Sequence, residues 1–229
     1  MTDDLKRRAA LAALEEIHDD MIVGLGTGST AAHFISELAV RVREGLKIAA
    51  IPTSEASRQQ AEEGGIPLTT FAEHPYIDVT VDGADEISPQ LDLIKGLGGA
   101  LVREKVVAHA SRRVVIVADE SKLVEKLGSR TVIPVEVVPF AVHFVMQRLA
   151  GWGGQLCIRE KNGMRVVSDN GNLIIDWKYG EIEQPALLEK QLKGVTGVVD
   201  SGLFCHVAQC VIVAGRNGIR KIERSQTPS

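Results

Sequence analysis

Apolar residues along the chain repeat with two spacings, and the alternation between them outlines the fold. Leu5, Ala9, Ala13, Leu14 and Ile17 fall three or four residues apart, which predicts an opening helix with Thr2 as its N-cap. Asp3 and Asp4 then sit in the first turn, where carboxylates meet the positive end of the helix dipole. The short apolar run Met21 to Leu25 predicts a strand, and Ala32, Ile35, Leu38 and Ala39 predict a helix over 29–43. The alternation continues with a strand at 48–51, a helix at 54–63, a strand at 77–81, a helix at 101–110 and a strand at 114–118. Such an order predicts an α/β domain with a doubly wound, mostly parallel, Rossmann-like sheet covered on both faces.

After Gly128 the order changes to strand 133–138, helix 140–150, strands 155–159 and 173–177, helix 185–193 and strand 195–199. This β-α-β-β-α-β order is the ferredoxin-like pattern, and Asp169-Asn170-Gly171 supplies turn residues ahead of the strand at 173. The last apolar run, Cys210 to Ala214, the turn Asn217-Gly218 and a strand at 219–223 return to the first domain. The expectation is a Rossmann-like domain, 1–128 plus 203–229, that carries the active site. Inserted in it is a smaller α+β ferredoxin-like domain, 129–202, that makes oligomer contacts.

Composition removes several classes. Aromatic residues are 4% of the chain, so Val, Ile, Leu and Ala must build the core and a single-stranded nucleic acid would find few stacking platforms. A net charge of −4 points the same way. Cys157, Cys205 and Cys210 form no CxxC pair, which writes neither a disulfide framework nor a zinc knuckle and suits a reducing compartment. The six histidines lie too far apart for HExxH-type spacing, so no resident metal is expected. Charges interrupt the apolar spacing of the first twenty residues, unlike a signal peptide, and no apolar run approaches the ~18 residues of a membrane span. The sequence reads as cytoplasmic, without nucleic-acid or membrane partners.

Three segments can carry chemistry. Gly24-Leu25-Gly26-Thr27-Gly28-Ser29-Thr30 joins a strand to a helix, where outward-facing N–H groups and the helix dipole favour an anion such as phosphate; the plain alternative is a structural turn. It is not the dinucleotide fingerprint, because Ser29 stands where a glycine is needed and the next strand runs into Pro52-Thr53-Ser54. Nor is it a Walker loop, since no Lys precedes Ser29 or Thr30. Asp82-Gly83-Ala84-Asp85-Glu86 follows the strand at 77–81, where two carboxylates can face a small polar ligand and raise one another's pKa. A solvated loop with an acidic helix cap, or a divalent-metal site, are its other readings. In the third segment Lys95 precedes glycines that let backbone approach a ligand, and Glu104 follows in the first turns of a helix. Taken alone, Arg103-Glu104-Lys105 reads more often as a solvated face. Lys122, beyond the strand at 114–118, is a candidate phosphate cation, and Lys6 is a weaker one. No Gly-x-Ser-x-Gly elbow or activated cysteine supports nucleophilic catalysis.

Taken together, Gly26-Thr27-Gly28-Ser29-Thr30, Asp82 to Glu86, Lys95-Gly96-Leu97-Gly98, Arg103-Glu104-Lys105 and Ala118-Asp119-x-Ser121-Lys122 resemble the ribose-5-phosphate isomerase A family in order and spacing. Pro134, Glu136 and Pro139, with Ser168-Asp169-Asn170-Gly171-Asn172, extend the likeness over nearly the whole chain. The resemblance implies interconversion of ribose 5-phosphate and ribulose 5-phosphate in the non-oxidative pentose phosphate pathway, with no metal or organic cofactor. It implies that Glu104 is the general base carrying a proton between C2 and C1 through a cis-enediolate, with Asp82, Asp85 and Lys95 around the sugar oxygens. Thr27, Gly28, Ser29, Thr30, Gly83, Ala84, Gly96, Leu97, Gly98, Lys122 and Lys6 are implied to contact substrate. Leu97 departs from the glycine that several members carry, and would be strained if its position required φ > 0. The likeness also suggests a homodimer or homotetramer. Rival readings are a CoA-transferase-like enzyme using Glu104 as a covalent nucleophile, and a non-catalytic sugar-phosphate sensor, although no basic helix-turn-helix segment is written in the chain.

Overall fold

The computed structural model describes residues 2–224, and the chain divides into two compact units. Among the described residues the larger comprises 2–84, 103–122 and 207–224; the smaller comprises Asp85–Val102 and Leu123–His206.

A six-stranded sheet organises the larger unit. From one edge its strands are Ala49–Pro52, Ile22–Leu25, Ile77–Asp82, Ser111–Asp119, Cys210–Gly215 and Gly218–Glu223. The first five are parallel and the last runs antiparallel. Strand side chains Val23, Leu25, Val79, Val81, Val115 and Val117 pack against Ala9, Ala13, Phe34, Ile35 and Leu38 from the helices Thr2–Ala13 and Ser29–Arg43. A smaller apolar group, Ile51, Ile77 and Val107, joins two of the strands to the helix Leu101–His109. Gly24 lets that helix come close, since a Cβ there would lie 2.8 Å from Val107 Cγ1 and 1.9 Å from Thr80 Oγ1. The result is a mostly parallel α/β sheet with helices.

The smaller unit holds a four-stranded antiparallel sheet in the order Val198–Ser201, Ile133–Val137, Leu173–Lys178, Gln155–Ile158, with the helices Val142–Ala150 and Pro185–Lys193. In chain order these are its fourth, first, third and second strands. Val145, Leu149, Leu188 and Leu192 from the helices bury Val135, Val137, Ile175 and Trp177. A second sheet of three very short antiparallel strands joins Glu86–Ile87, Leu93–Ile94 and Leu203–Phe204.

That small sheet explains why the compact units do not follow the partition expected at 128 and 203. Its strands pair with one another, so Asp85–Val102 and 203–206 are counted with the smaller unit. Two-residue strands have no periodicity to read, and none was expected. The helix Ser29–Arg43 has the anticipated bounds, whereas Thr2 is the first helical residue and not an N-cap ahead of the helix. The strand expected at 195–199 is instead Val198–Ser201. Val195 N–H still bonds Leu192 O at 3.0 Å, closing the preceding helix, and Gly197 at φ 94° makes the turn that follows.

Candidate active site

In the larger unit the strand order reverses direction at Ile22–Leu25, which has Ala49–Pro52 on one side and Ile77–Asp82 on the other. Ligands in open α/β sheets sit outside the carboxyl ends of strands at such a reversal. The chain leaves Leu25 through Gly26, whose N–H bonds Val81 O at 3.0 Å. A Cβ on Gly26 would lie 2.2 Å from Asp82 Oδ1, so only glycine permits this approach. Asp82 ends its strand and is 2% exposed; its Oδ1 accepts N–H bonds from Thr27 at 3.1 Å and Gly83 at 2.7 Å. Gly83 and Ala84 then lead the chain out of the strand, both half-buried.

Gly28 stands at the N-cap of the helix Ser29–Arg43 with φ 106°, and no side chain caps this end. The first-turn N–H groups of any helix lack intrahelical acceptors, so this start faces outward as an anion cradle. Ser29 is exposed and Thr30 buried, and Lys6 Nζ reaches Ser29 Oγ at 2.8 Å, bringing a cation to the helix start. Thr27 differs from its neighbours. Its hydroxyl donates to Ser54 Oγ at 2.8 Å and lies 2.7 Å from Thr53 Oγ1, so its side chain ties this turn to the next strand end. Thr53 and Ser54 were not singled out as site residues. Their signal was Pro52-Thr53-Ser54 itself, three residues at a strand's carboxyl end.

The helix Leu101–His109 feeds the start of the strand Ser111–Asp119. At 1.5 Å per residue its first turn lies roughly 13 Å back from that start, toward the carboxyl edge of the sheet. Glu104 is in this turn and 3% exposed, and Lys105 is 6% exposed. The solvated-face reading therefore does not hold for these two residues. Arg103 is the outward member; it bonds Glu55 Oε1 at 2.9 Å and, with Arg58, holds the Glu55 carboxyl below its usual range. Lys122 closes the 3-10 turn Glu120–Lys122 directly after Asp119, on the same edge, and is half-buried.

In the smaller unit Lys95 follows the strand Leu93–Ile94 and is 3% exposed. Its backbone N–H bonds Gly202 O at 2.8 Å, and its ammonium lies 5.5 Å from the Phe204 ring centroid, a cation–π contact. Phe204 carries no sequence signal that marks it as a neighbour of Lys95. Gly96 has φ 97° and Gly99 φ 86°, whereas Leu97 is not in the left-handed region, so the feared strain at Leu97 does not arise. Leu97 and Gly98 are exposed, and Leu97 N–H bonds Asp85 Oδ2 at 3.0 Å. Glu86, one residue on, is a structural acceptor. It is 1% exposed, with Gly128 N–H on Oε2 at 2.6 Å and the N–H groups of Arg130 and Thr131 on Oε1 at 2.7 Å each. Among the described residues no group of three His, Cys, Asp or Glu is arranged to hold a metal, and no helix is long and apolar enough to cross a membrane.

A reversed parallel sheet with an uncapped helix start, cations and a buried carboxylate along one edge is the arrangement on which α/β proteins take small anionic ligands. Residues 49–218 match the family model of ribose 5-phosphate isomerase A (phosphoriboisomerase A). Ribose-5-phosphate isomerase A of Gloeobacter violaceus is 49% identical over 227 residues, covering 99% of each chain. That of Bradyrhizobium diazoefficiens is 48% identical, covering 97% of this chain and 96% of its own. Among solved structures, a D-ribose-5-phosphate isomerase in complex with phospho-erythronic acid superposes with TM-score 0.95 at 39% identity, covering 98% of this chain and all of its own. Ribose 5-phosphate isomerase A of Methanocaldococcus jannaschii superposes with TM-score 0.93 at 42% identity, covering 96% and 99%. The chain belongs to the ribose 5-phosphate isomerase A family.

Proposed function

We propose that this chain is an aldose–ketose isomerase that interconverts D-ribose 5-phosphate and D-ribulose 5-phosphate, with Glu104 as the proton carrier. The observation that carries the assignment of the base is the burial of Glu104 in the first turn of its helix, at the sheet edge that also holds Asp82 and Lys122. Isomerisation moves a proton between adjacent carbons. After ring opening, one carboxylate takes the C2 proton, leaves a planar cis-enediolate and returns the proton to C1, while the hydroxyl proton passes from O2 to O1. Lys95 and Asp85 serve the oxygens on which negative charge develops, since a fixed cation and an oriented acid stabilise that charge more than the ground state. Asp82 or Asp85 assists opening of the furanose ring. The start of the helix Ser29–Arg43, with Lys6 and Lys122, holds the phosphate, so that remote binding energy orients the reacting carbons. No step calls for a metal, and EDTA is expected to leave the rate unchanged.

The test is a coupled assay for ribulose 5-phosphate formation. Wild-type turnover with loss in Glu104→Gln supports the reading, and trapping of an acyl adduct on Glu104 would favour a transferase instead. Phospho-erythronic acid, which ends in a carboxylate and carries a phosphate, is expected to compete with ribose 5-phosphate.

We further read the larger unit as Rossmann-like and the smaller as ferredoxin-like, a reading supported by the antiparallel fourth-first-third-second strand order. The smaller unit exposes Phe140 fully and Phe144 by half, beside a groove of about 710 Å³ lined in part by Phe144, Trp152 and Leu187. Self-association through this face, as a homodimer or homotetramer, fits these side chains, and sedimentation of Phe140→Asp against wild type tests it. Free Cys157, Cys205 and Cys210 suit a reducing cytoplasm.

A further inference from the structure

We propose that Arg159, clamped by Asp176, is a positioning residue for the isomerisation, acting through the backbone of the Lys95-Gly96-Leu97-Gly98 segment. This rests on the reading of Lys95 and Asp85 as site residues given above. Arg159 lies just past the strand Gln155–Ile158 and is nearly buried, with its side chain 10% exposed. Nε donates to Asp176 Oδ2 at 2.9 Å and Nη2 donates to Asp176 Oδ1, so the guanidinium fork is held from one side. Its remaining arm, Nη1, donates to two successive carbonyls, Gly96 O at 2.9 Å and Leu97 O at 3.0 Å.

Peptide geometry turns that grip into a statement about the site. In a trans peptide the carbonyl and the following N–H point in opposite directions across a rigid plane. Fixing Gly96 O on Arg159 therefore fixes the direction of Leu97 N–H, which bonds Asp85 Oδ2 at 3.0 Å. One peptide plane is held at its oxygen by a cation and at its nitrogen by a candidate catalytic acid. The second carbonyl prevents the plane from rotating alone, and Gly96, at φ 97°, turns the chain out of the preceding strand into this grip. Because Asp176 balances the guanidinium, Arg159 contributes orientation more than field. A lysine cannot replace it, having one point-like ammonium where four acceptors must be met in a plane.

The experiment compares Arg159→Lys and Arg159→Met with wild type by kcat and KM for ribose 5-phosphate, melting temperature, and amide exchange of the peptide 93–100. Both variants are expected to lose about tenfold or more in kcat, with KM changed by less than about threefold. Arg159→Lys should keep its melting temperature while amide exchange around Leu97 accelerates. In the double variant with Asp85→Asn, the loss should be no more than about twice that of Asp85→Asn alone, because both changes break one device. Losses that multiply, or an unchanged kcat in folded Arg159→Lys, overturn the proposal. If wild type itself showed no isomerisation, the functional reading would fail. Exchange would then decide the loop mechanics alone, and exchange in Arg159→Met no faster than in wild type would reject them.

Discussion

The two regions that bear the candidate site residues are built by different means. At the carboxyl edge of the larger unit, regular structure does the placing: strands end at Leu25, Asp82 and Asp119, a helix starts at Ser29, and another brings Glu104 back to the edge. In the smaller unit, Asp85 just before and Lys95 just after a pair of two-residue strands sit on irregular backbone, steadied by Gly202 O, Arg159 and the Phe204 ring. The first kind of site follows from topology, whereas the second has to be propped by particular side chains. Substitutions should accordingly act through chemistry at the edge and through geometry in the loop.

The largest effect is expected at Glu104. Glu104→Gln should lower kcat by at least ~10²-fold with substrate binding retained, measured in steady state and by calorimetry with phospho-erythronic acid. Near-normal turnover would move the proton carrier elsewhere and break the contrast at its chemical end. Next comes Glu86, which tests geometry. Glu86→Gln puts an N–H₂ where at least one of three backbone N–H groups needs an acceptor, and should cost about 2 kcal/mol in chemical denaturation. Lys122→Ala should raise KM about tenfold while leaving kcat within a few-fold, and ribose without its phosphate should be a poor substrate. Equal rates on the two sugars would remove phosphate anchoring from the larger unit.

The smallest effect is a pH dependence far from either region. Glu16 accepts bonds from Arg113 at 2.9 Å and Lys221 at 2.5 Å, and Glu223 accepts one from Arg113 at 2.8 Å. Burial raises the Glu16 pKa, but the bonds to Lys221 and Arg113 outweigh it, so the group ionises below its ordinary value of 4.5; Arg113 lowers Glu223 likewise. Depressed carboxylates stabilise the fold above the unfolded value and lose that contribution as pH falls through the folded one. Stability should therefore decline below about pH 4.5, and Arg113→Met should flatten that limb of the denaturation profile.

These two regions also differ in how far they could be read from the chain. The edge was legible because it depends on local patterns: Gly26 to Thr30 between a strand and an amphipathic helix, and carboxylates directly after an apolar run. The helix Ser29–Arg43 came out with its observed bounds for that reason. Glu86, Phe204 and Arg159 were not legible, since their roles depend on contacts 42, 109 and 63 residues away that no spacing rule encodes. The burial of Glu104 and Lys105 was likewise hidden, because a charged triplet reads as solvent-facing until the sheet edge it meets is known.

The chain's final strand also settles how the larger sheet ends. Gly218–Glu223 runs against its five companions and shows Arg220, Lys221 and Glu223 to solvent, while the far border finishes at Pro52 and is bridged from Ala50 to Leu68. A neighbouring molecule seeking a free ladder of amides would meet solvated charged side chains on one side and a missing donor on the other. The two borders of this sheet are thus blunted against edge-to-edge stacking.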